Sequence, residues 1–229
     1  MNKTTHREPE APSPETIAKM LTEWIDPITE EPTGTRYCLY PTPARGANTQ
    51  GSYLIYLPPG YEQNSPKRFP VIYWLHGGFG NARQGEWAVH TYDAAIKANS
   101  MPEVIIVLVQ ALPVGWYVDS KDGKLPIEQV IIKDLIPHID GTYRTIAQKE
   151  GRGIEGHSMG GYGALHLGLE YPNLFGAISA VAPSILRDMG AEPRYRTICL
   201  RMTKITAKKL GRGTWPNSMR KSSIKKKQN

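Results

Sequence analysis

The sequence predicts an α/β protein with a mostly parallel sheet and helices on both faces. Three observations predict it. Val71–Leu75 and Val104–Val109 are nearly continuous apolar runs of strand length, as strands buried on both faces are. Segments with helical spacing alternate with strand-like runs, which implies parallel crossovers. Glycine-rich turns at 77–80 and 156–161 sit where a strand signal gives way to a helix signal.

The elements follow in order. Residues 1–12 read as a polar arm. Ser13-Pro14-Glu15 reads as a helix start, with a cap, a proline in the first turn and an acidic residue that suits the dipole, and the helix is expected to run to about Trp24. Arg36–Tyr40 and Ser52–Leu57 are short β-rich runs, the second closed by Pro58-Pro59-Gly60. The strand at 71–75 precedes a helical stretch, Ala88–Asn99, and the strand at 104–109 precedes another, Ile127–Ile139, with apolar residues at 127, 130, 131, 135 and 139. Gly153–His157 reads as a strand, Gly160–Glu170 as a helix rich in small residues and Ala177–Val181 as a sixth strand.

Composition bounds the function classes. The 229 residues are 40% apolar and 21% charged, the profile of a globular chain rather than a disordered, collagen-like or disulfide-stapled one. Two cysteines, Cys38 and Cys199, give no disulfide framework. The first twenty residues contain no apolar run of signal-peptide type, and no stretch has membrane-spanning length, so the expected setting is soluble and cytoplasmic. Charge is uneven. Residues 198–229 carry ten Lys and Arg and no acidic residue, whereas 1–197 carry 18 basic against 21 acidic side chains.

Two turns carry the chemistry. Gly156-His157-Ser158-Met159-Gly160 is a G-x-S-x-G pentapeptide between a strand and a helix. That context reads as a nucleophile elbow: a sharp turn that exposes Ser158 Oγ at a helix N-terminus, with glycine at 156 and 160 because side chains there would clash. A glycine-rich helix start with an incidental serine is the plainer alternative. His76-Gly77-Gly78-Phe79-Gly80-Asn81 follows the strand at 71–75. A loop at this place supplies one backbone N–H of an oxyanion hole, and the residue after the nucleophile supplies the other. Gly78 and Met159 are therefore the expected donors, and His76 is expected to hold the loop. Trp116 and Tyr117, beside Asp119 in the loop after the strand at 104–109, are read as substrate-pocket residues, with simple loop packing as the alternative. His90, His138 and His166 fall in helical segments and are expected to be ordinary surface or partly buried histidines. Asp134, Asp140 and Asp188 are carboxylates with no assigned partner. No Cys/His spacing predicts a metal site and no G-x-G-x-x-G follows a strand, so neither metal nor cofactor is expected.

VIYWLHGGFGN, the later Trp87, DLIPHIDGTYRT at 134–145 and IEGHSMGGYGALHLGLEYPNLFGAISAVAPS at 154–184 together resemble the esterase D-like family of α/β-hydrolases. Feruloyl and acetyl-xylan esterases, enterochelin-esterase-like proteins, S-formylglutathione hydrolases and mycolyltransferases belong to it. The resemblance covers residues 35–197 and implies the α/β-hydrolase fold and a Ser-His-Asp triad with Ser158 as nucleophile. The family's acid and histidine come after two further strands. Here no histidine follows His166, and no strand-like run or G-D-x-D-type turn follows Ser184. The fold is therefore expected to be incomplete at its C-terminus, and the resemblance carries over the serine and the oxyanion hole but neither triad partner.

The expected organisation is an arm and short helix at 1–34, a hydrolase domain at 35–197 and a basic tail at 198–229. A shift of reading frame near Thr197–Ile198 would explain the tail, because the adjacent frame of 201–216 permits Asn-Asp-Lys-Asp-Tyr and Gly-Pro-Trp-Asn-Leu-Ala. A passive solvated tail and a polyanion-binding tail are the alternatives, and no nucleic-acid or membrane partner is expected. The combined expectation is a serine carboxylic-ester hydrolase that forms an acyl-enzyme on short acyl, acetyl or feruloyl esters of sugars, oligosaccharides or small molecules. An acyltransferase of the same fold and a non-catalytic hydrolase-like protein remain as alternatives. Oligomeric state is left open.

Overall fold

The computed structural model describes residues 13–26, 28, 30–61 and 66–185. The arm at 1–12, Asp188 and the basic tail with its expected frame shift lie outside the described residues.

Six strands form one sheet in the order β1-β2-β4-β3-β5-β6. They are β1 (Arg36–Pro41), β2 (Gln50–Tyr56), β3 (Val71–Leu75), β4 (Ile105–Val109), β5 (Arg152–His157) and β6 (Ala177–Val181). The β1–β2 and β2–β4 pairs are antiparallel, and the β4–β3, β3–β5 and β5–β6 pairs are parallel. The expected mostly parallel α/β architecture is thus observed, with the two antiparallel pairs at one edge. The parallel centre explains the apolar runs: all five residues of β4 and four of the five in β3 are buried.

Helices cover both faces. Ser13 Oγ accepts the Thr16 N–H at 3.2 Å and caps α1 (Pro14–Met20). α2 (Glu86–Lys97) buries Ala88, Val89 and Ile96 against one face, in a cluster with Leu54, Trp74, Ile106 and Leu108. The other face meets α3 (Ile127–Gln129), a π-helical stretch over Val130–Leu135, α4 (Ile136–Thr142) and α5 (Met159–Glu170), around Tyr73, Leu75, Ile105, Val107 and Ile154. β6 pairs on one side only among the described residues, and Ile178 and Val181 stay 39% and 37% exposed.

One buried ion pair ties β5 to the end of α4. Arg152, 4% exposed, places Nη2 2.6 Å from Asp140 Oδ2 and donates through Nη1 to the Leu174 carbonyl. Asp140 Oδ1 also accepts from Thr145 Oγ1 at 2.7 Å. A buried pair adds little over an apolar pair, but removing one partner strands the other charge.

His76, the residue after β3, is wholly buried. Nδ1 lies 2.8 Å from the Gly77 carbonyl oxygen, and Nε2 lies 3.0 Å from the Ala111 carbonyl oxygen and 3.3 Å from the Ala111 nitrogen. A neutral imidazole has one N–H. Either tautomer donates to one of the two carbonyls, so the ring ties the loop after β3 to the segment after β4 in both. Burial holds the pKa of His76 below its ordinary 6.5, and burial does the same to His138.

Two predictions follow from these groups. Asp140→Asn is expected to lower unfolding free energy by about 3 kcal/mol, measured by urea denaturation, because Arg152 is left without a counter-charge. Below about pH 6.5 the unfolded chain takes up protons that folded His76 and His138 refuse, so stability is full above that pH and falls as pH drops below it, by up to about 1.4 kcal/mol per unit per group. Denaturation at pH 7.5 and 5.5 checks this, and His76→Gln should flatten the dependence.

Candidate active site

Three chain segments meet at the carboxyl ends of β3, β5 and β6. Ser158 joins β5 to α5 with φ 56 and ψ −113. Its N–H donates to the Val181 carbonyl at 2.9 Å, and its carbonyl accepts from Tyr162 and Ser184 N–H groups at 3.1 and 3.0 Å. These bonds fix the turn from both sides. A Cβ on Gly156 would overlap the Gly160 carbonyl, and one on Gly160 would overlap the Leu75 carbonyl at the end of β3. Any side chain at either position would push helix and sheet apart. His157 is exposed and precedes the serine.

The loop after β3 lies opposite. Gln84 Oε1 accepts the Gly77 N–H at 2.9 Å, and Phe79 donates its N–H to the Pro113 carbonyl at 2.6 Å. Between these anchors Gly78 faces the elbow: a Cβ there would lie 3.9 Å from Met159 Cβ. Neither the Gly78 nor the Met159 N–H donates to another described group. Gly78 and Met159 both border the same space as Ser158, and α5 directs the positive end of its dipole there.

Ser158 Oγ lies 3.0 Å from Ser184 Oγ, in the segment after β6. No described histidine hydrogen-bonds to Ser158 Oγ. His76 is enclosed under the loop, His90 lies 3.5 Å from Glu86 on α2, His138 Nε2 meets Tyr53 Oη at 3.1 Å, and His166 Nε2 meets Glu128 Oε2 at 2.7 Å. The carboxylates are also engaged elsewhere. Asp134 accepts the Ala44 N–H, Asp140 holds Arg152, and Asp119 accepts the N–H groups of Glu128 and Gln129. Burial raises the pKa of Asp119 and of Asp134.

Two spaces open on Ser158. The smaller, about 80 Å³, is lined by Gly78, Phe79, Val114, Trp116, Met159 and Ser184. The larger, about 280 Å³, is lined by Trp74, Gly77, Gly78, Gln84, Trp87 and His157. Trp116 thus borders the site. Its neighbour Tyr117 does not reach it: the ring is fully buried, and its hydroxyl donates to the His76 carbonyl at 2.9 Å. Phe79, Gln84, Trp87 and Ser184 were not among the residues expected at the site. Phe79, Gln84 and Trp87 follow the loop after β3 closely, whereas Ser184 lies far along the chain and is brought in by the pairing of β5 with β6. The exposed tryptophan in the amphipathic 86–97 segment was the one usable signal.

Backbone strain gathers here. Seven described non-glycine residues have positive φ, and five of them, Phe79, Trp116, Tyr117, Ser158 and Ala182, belong to segments that meet at this cleft. Such conformations cost about 1–3 kcal/mol each and persist where the surroundings over-determine them. Among the described residues no cluster of three or more His, Cys, Asp or Glu side chains could hold a metal, and no helix is long and apolar enough to cross a membrane.

This geometry coincides with similarity to known proteins. An esterase of Mycobacterium tuberculosis is 31% identical over 67% of this chain and 34% of its own length. An endo-1,4-beta-xylanase/feruloyl esterase of Xylanibacter ruminicola is 32% identical over 53% of this chain and 18% of its own. The chain therefore spans about a third or less of these curated relatives. A solved ferulic acid esterase superposes with a TM-score of 0.57 at 27% identity, covering 65% of this chain and 60% of that one. The profile of the family described as Putative esterase matches residues 47–219, well over half of the chain. The sheet order, the serine turn and this match together place the chain in the Putative esterase family, on an α/β-hydrolase fold.

Proposed function

We propose that the protein is a serine carboxylic-ester hydrolase with Ser158 as nucleophile. One observation carries the reading: Ser158 sits on a strained strand-to-helix turn beside two backbone N–H groups, of Gly78 and Met159, that donate to no other described group. Ser158 Oγ would attack the ester carbonyl carbon. The carbonyl oxygen would become an oxyanion between the two N–H groups, and its collapse would expel the alcohol and leave an acyl-serine. Water would then attack the acyl-serine, release the acid and restore the hydroxyl. The reading extends to the serine and its oxyanion cradle. The base that takes the Oγ proton is not among the described hydrogen-bond partners of Ser158. The named esterase relatives support the reaction class.

The test is hydrolysis of 4-nitrophenyl acetate, beside labelling by a fluorophosphonate. Ser158→Ala is expected to abolish both. Gly78→Pro, which deletes one N–H, is expected to lower kcat by about 10²–10³. Equal activity in the wild-type protein and Ser158→Ala would overturn the proposal.

A further inference from the structure

Trp116 borders Ser158 with a buried side chain and a φ of 54, a conformation that persists only where the surroundings over-determine it. A closed circuit of contacts through three segments holds it. The Trp116 ring stands edge-on to Tyr162, with 5.6 Å between centroids. Tyr162 lies one turn along α5 from Ser158, and its N–H donates to the Ser158 carbonyl. One turn further on, His166 stacks on Tyr162 within 7° of parallel. His166 Nε2 lies 2.7 Å from Glu128 Oε2 on α3. Those two side chains are 8% and 13% exposed, so water scarcely competes for the contact. The second oxygen of Glu128 accepts from Tyr171 Oη, just past the end of α5. The Glu128 and Gln129 N–H groups donate to Asp119 Oδ1 at 2.8 and 3.3 Å. Asp119 shares its loop with Trp116, which closes the circuit.

Glu128 and His166 line neither space beside Ser158, so they act there only through other residues. A buried polar pair adds little stability over an apolar one, which leaves direction as what this pair supplies. Hydrogen bonds to both oxygens of one carboxylate fix how α3 lies against α5, where apolar contacts alone would let the helices slide. We propose that Glu128 and His166 are positioning residues of the active site. Through Tyr162 they hold the Trp116 ring as the wall of the space that Ser158, Gly78 and Met159 share. A fixed wall there limits how a reacting carbonyl can lie beside the serine. The role rests on the serine-esterase reading.

The experiment uses the full chain with 5-fluorotryptophan at its five tryptophans, the Trp116 fluorine resonance being assigned with Trp116→Phe. Glu128→Ala and Tyr162→Leu open the circuit at different places. In both, the Trp116 resonance is expected to move, while that of Trp74, in the cluster on the other face of the sheet, stays in place and reports that the sheet is folded. Tyr162→Leu leaves the carboxylate paired, so a fold lost in Glu128→Ala does not end the test. In both, kcat/KM for 4-nitrophenyl acetate is expected to fall by about ten- to hundred-fold. Glu128→Gln keeps an acceptor for Tyr171 and a polar partner for His166, and is expected to keep the resonance and most of the rate. A Trp116 resonance that neither opening moves would overturn the positioning role, as would a moved resonance with an unchanged rate. So would a rate lost in Glu128→Gln with the resonance in place. Absence of fluorophosphonate labelling at Ser158 in the wild-type protein would overturn the serine reading, and this role with it. Normal labelling beside an unmoved resonance overturns the role alone.

Discussion

The approach of helix α5 to the carboxyl ends of β3 and β5 is the contact on which the rest of the site depends. It is a backbone-to-backbone contact, possible only because residues 156 and 160 lack side chains. Had either residue a Cβ, the helix would stand away from the sheet and the Ser158 N–H would lose Val181. The elbow would then relax, and Met159 would no longer share a space with Gly78. Position, strain and dipole at the serine are thus three results of one steric condition.

The opposite wall is fixed from beneath. His76 and Tyr117 are both wholly buried, and each hydrogen-bonds to the backbone of residues 76–77. Burial keeps the phenol of Tyr117 protonated by raising its pKa well above the ordinary value. Gln84 holds Gly77 from the solvent side. The loop after β3 is thus held from two directions.

Much of this was legible in the sequence, for identifiable reasons. The strands at 71–75 and 105–109 announce themselves because a buried parallel strand has no polar face to show. The turns at 77–80 and 156–160 are local, and their glycines are neighbours in sequence. The unread features all depend on tertiary contact. The first helix stops at Met20 rather than Trp24 because Trp24 turns into the core, under the guanidinium of Arg45 at 4.2 Å. The insertion of β4 between β2 and β3 leaves no mark in composition. Trp116 and Tyr117 are adjacent aromatics that the sequence treats alike. The backbone turns one toward the serine and the other beneath the loop. Ser184 reaches the site only through the order of the strands.

The concentration of left-handed residues around the cleft has an evolutionary consequence. Ser158 and Phe79 each hold a conformation that glycine adopts readily, and neither is a core side chain, so glycine at either would relieve strain. A laboratory selection for heat resistance alone would drift toward such replacements and return hardier proteins with an emptied cleft. Stability and the geometry around Ser158 are therefore opposed traits in this chain, and improving the first without eroding the second requires changes confined to the far edge of the sheet.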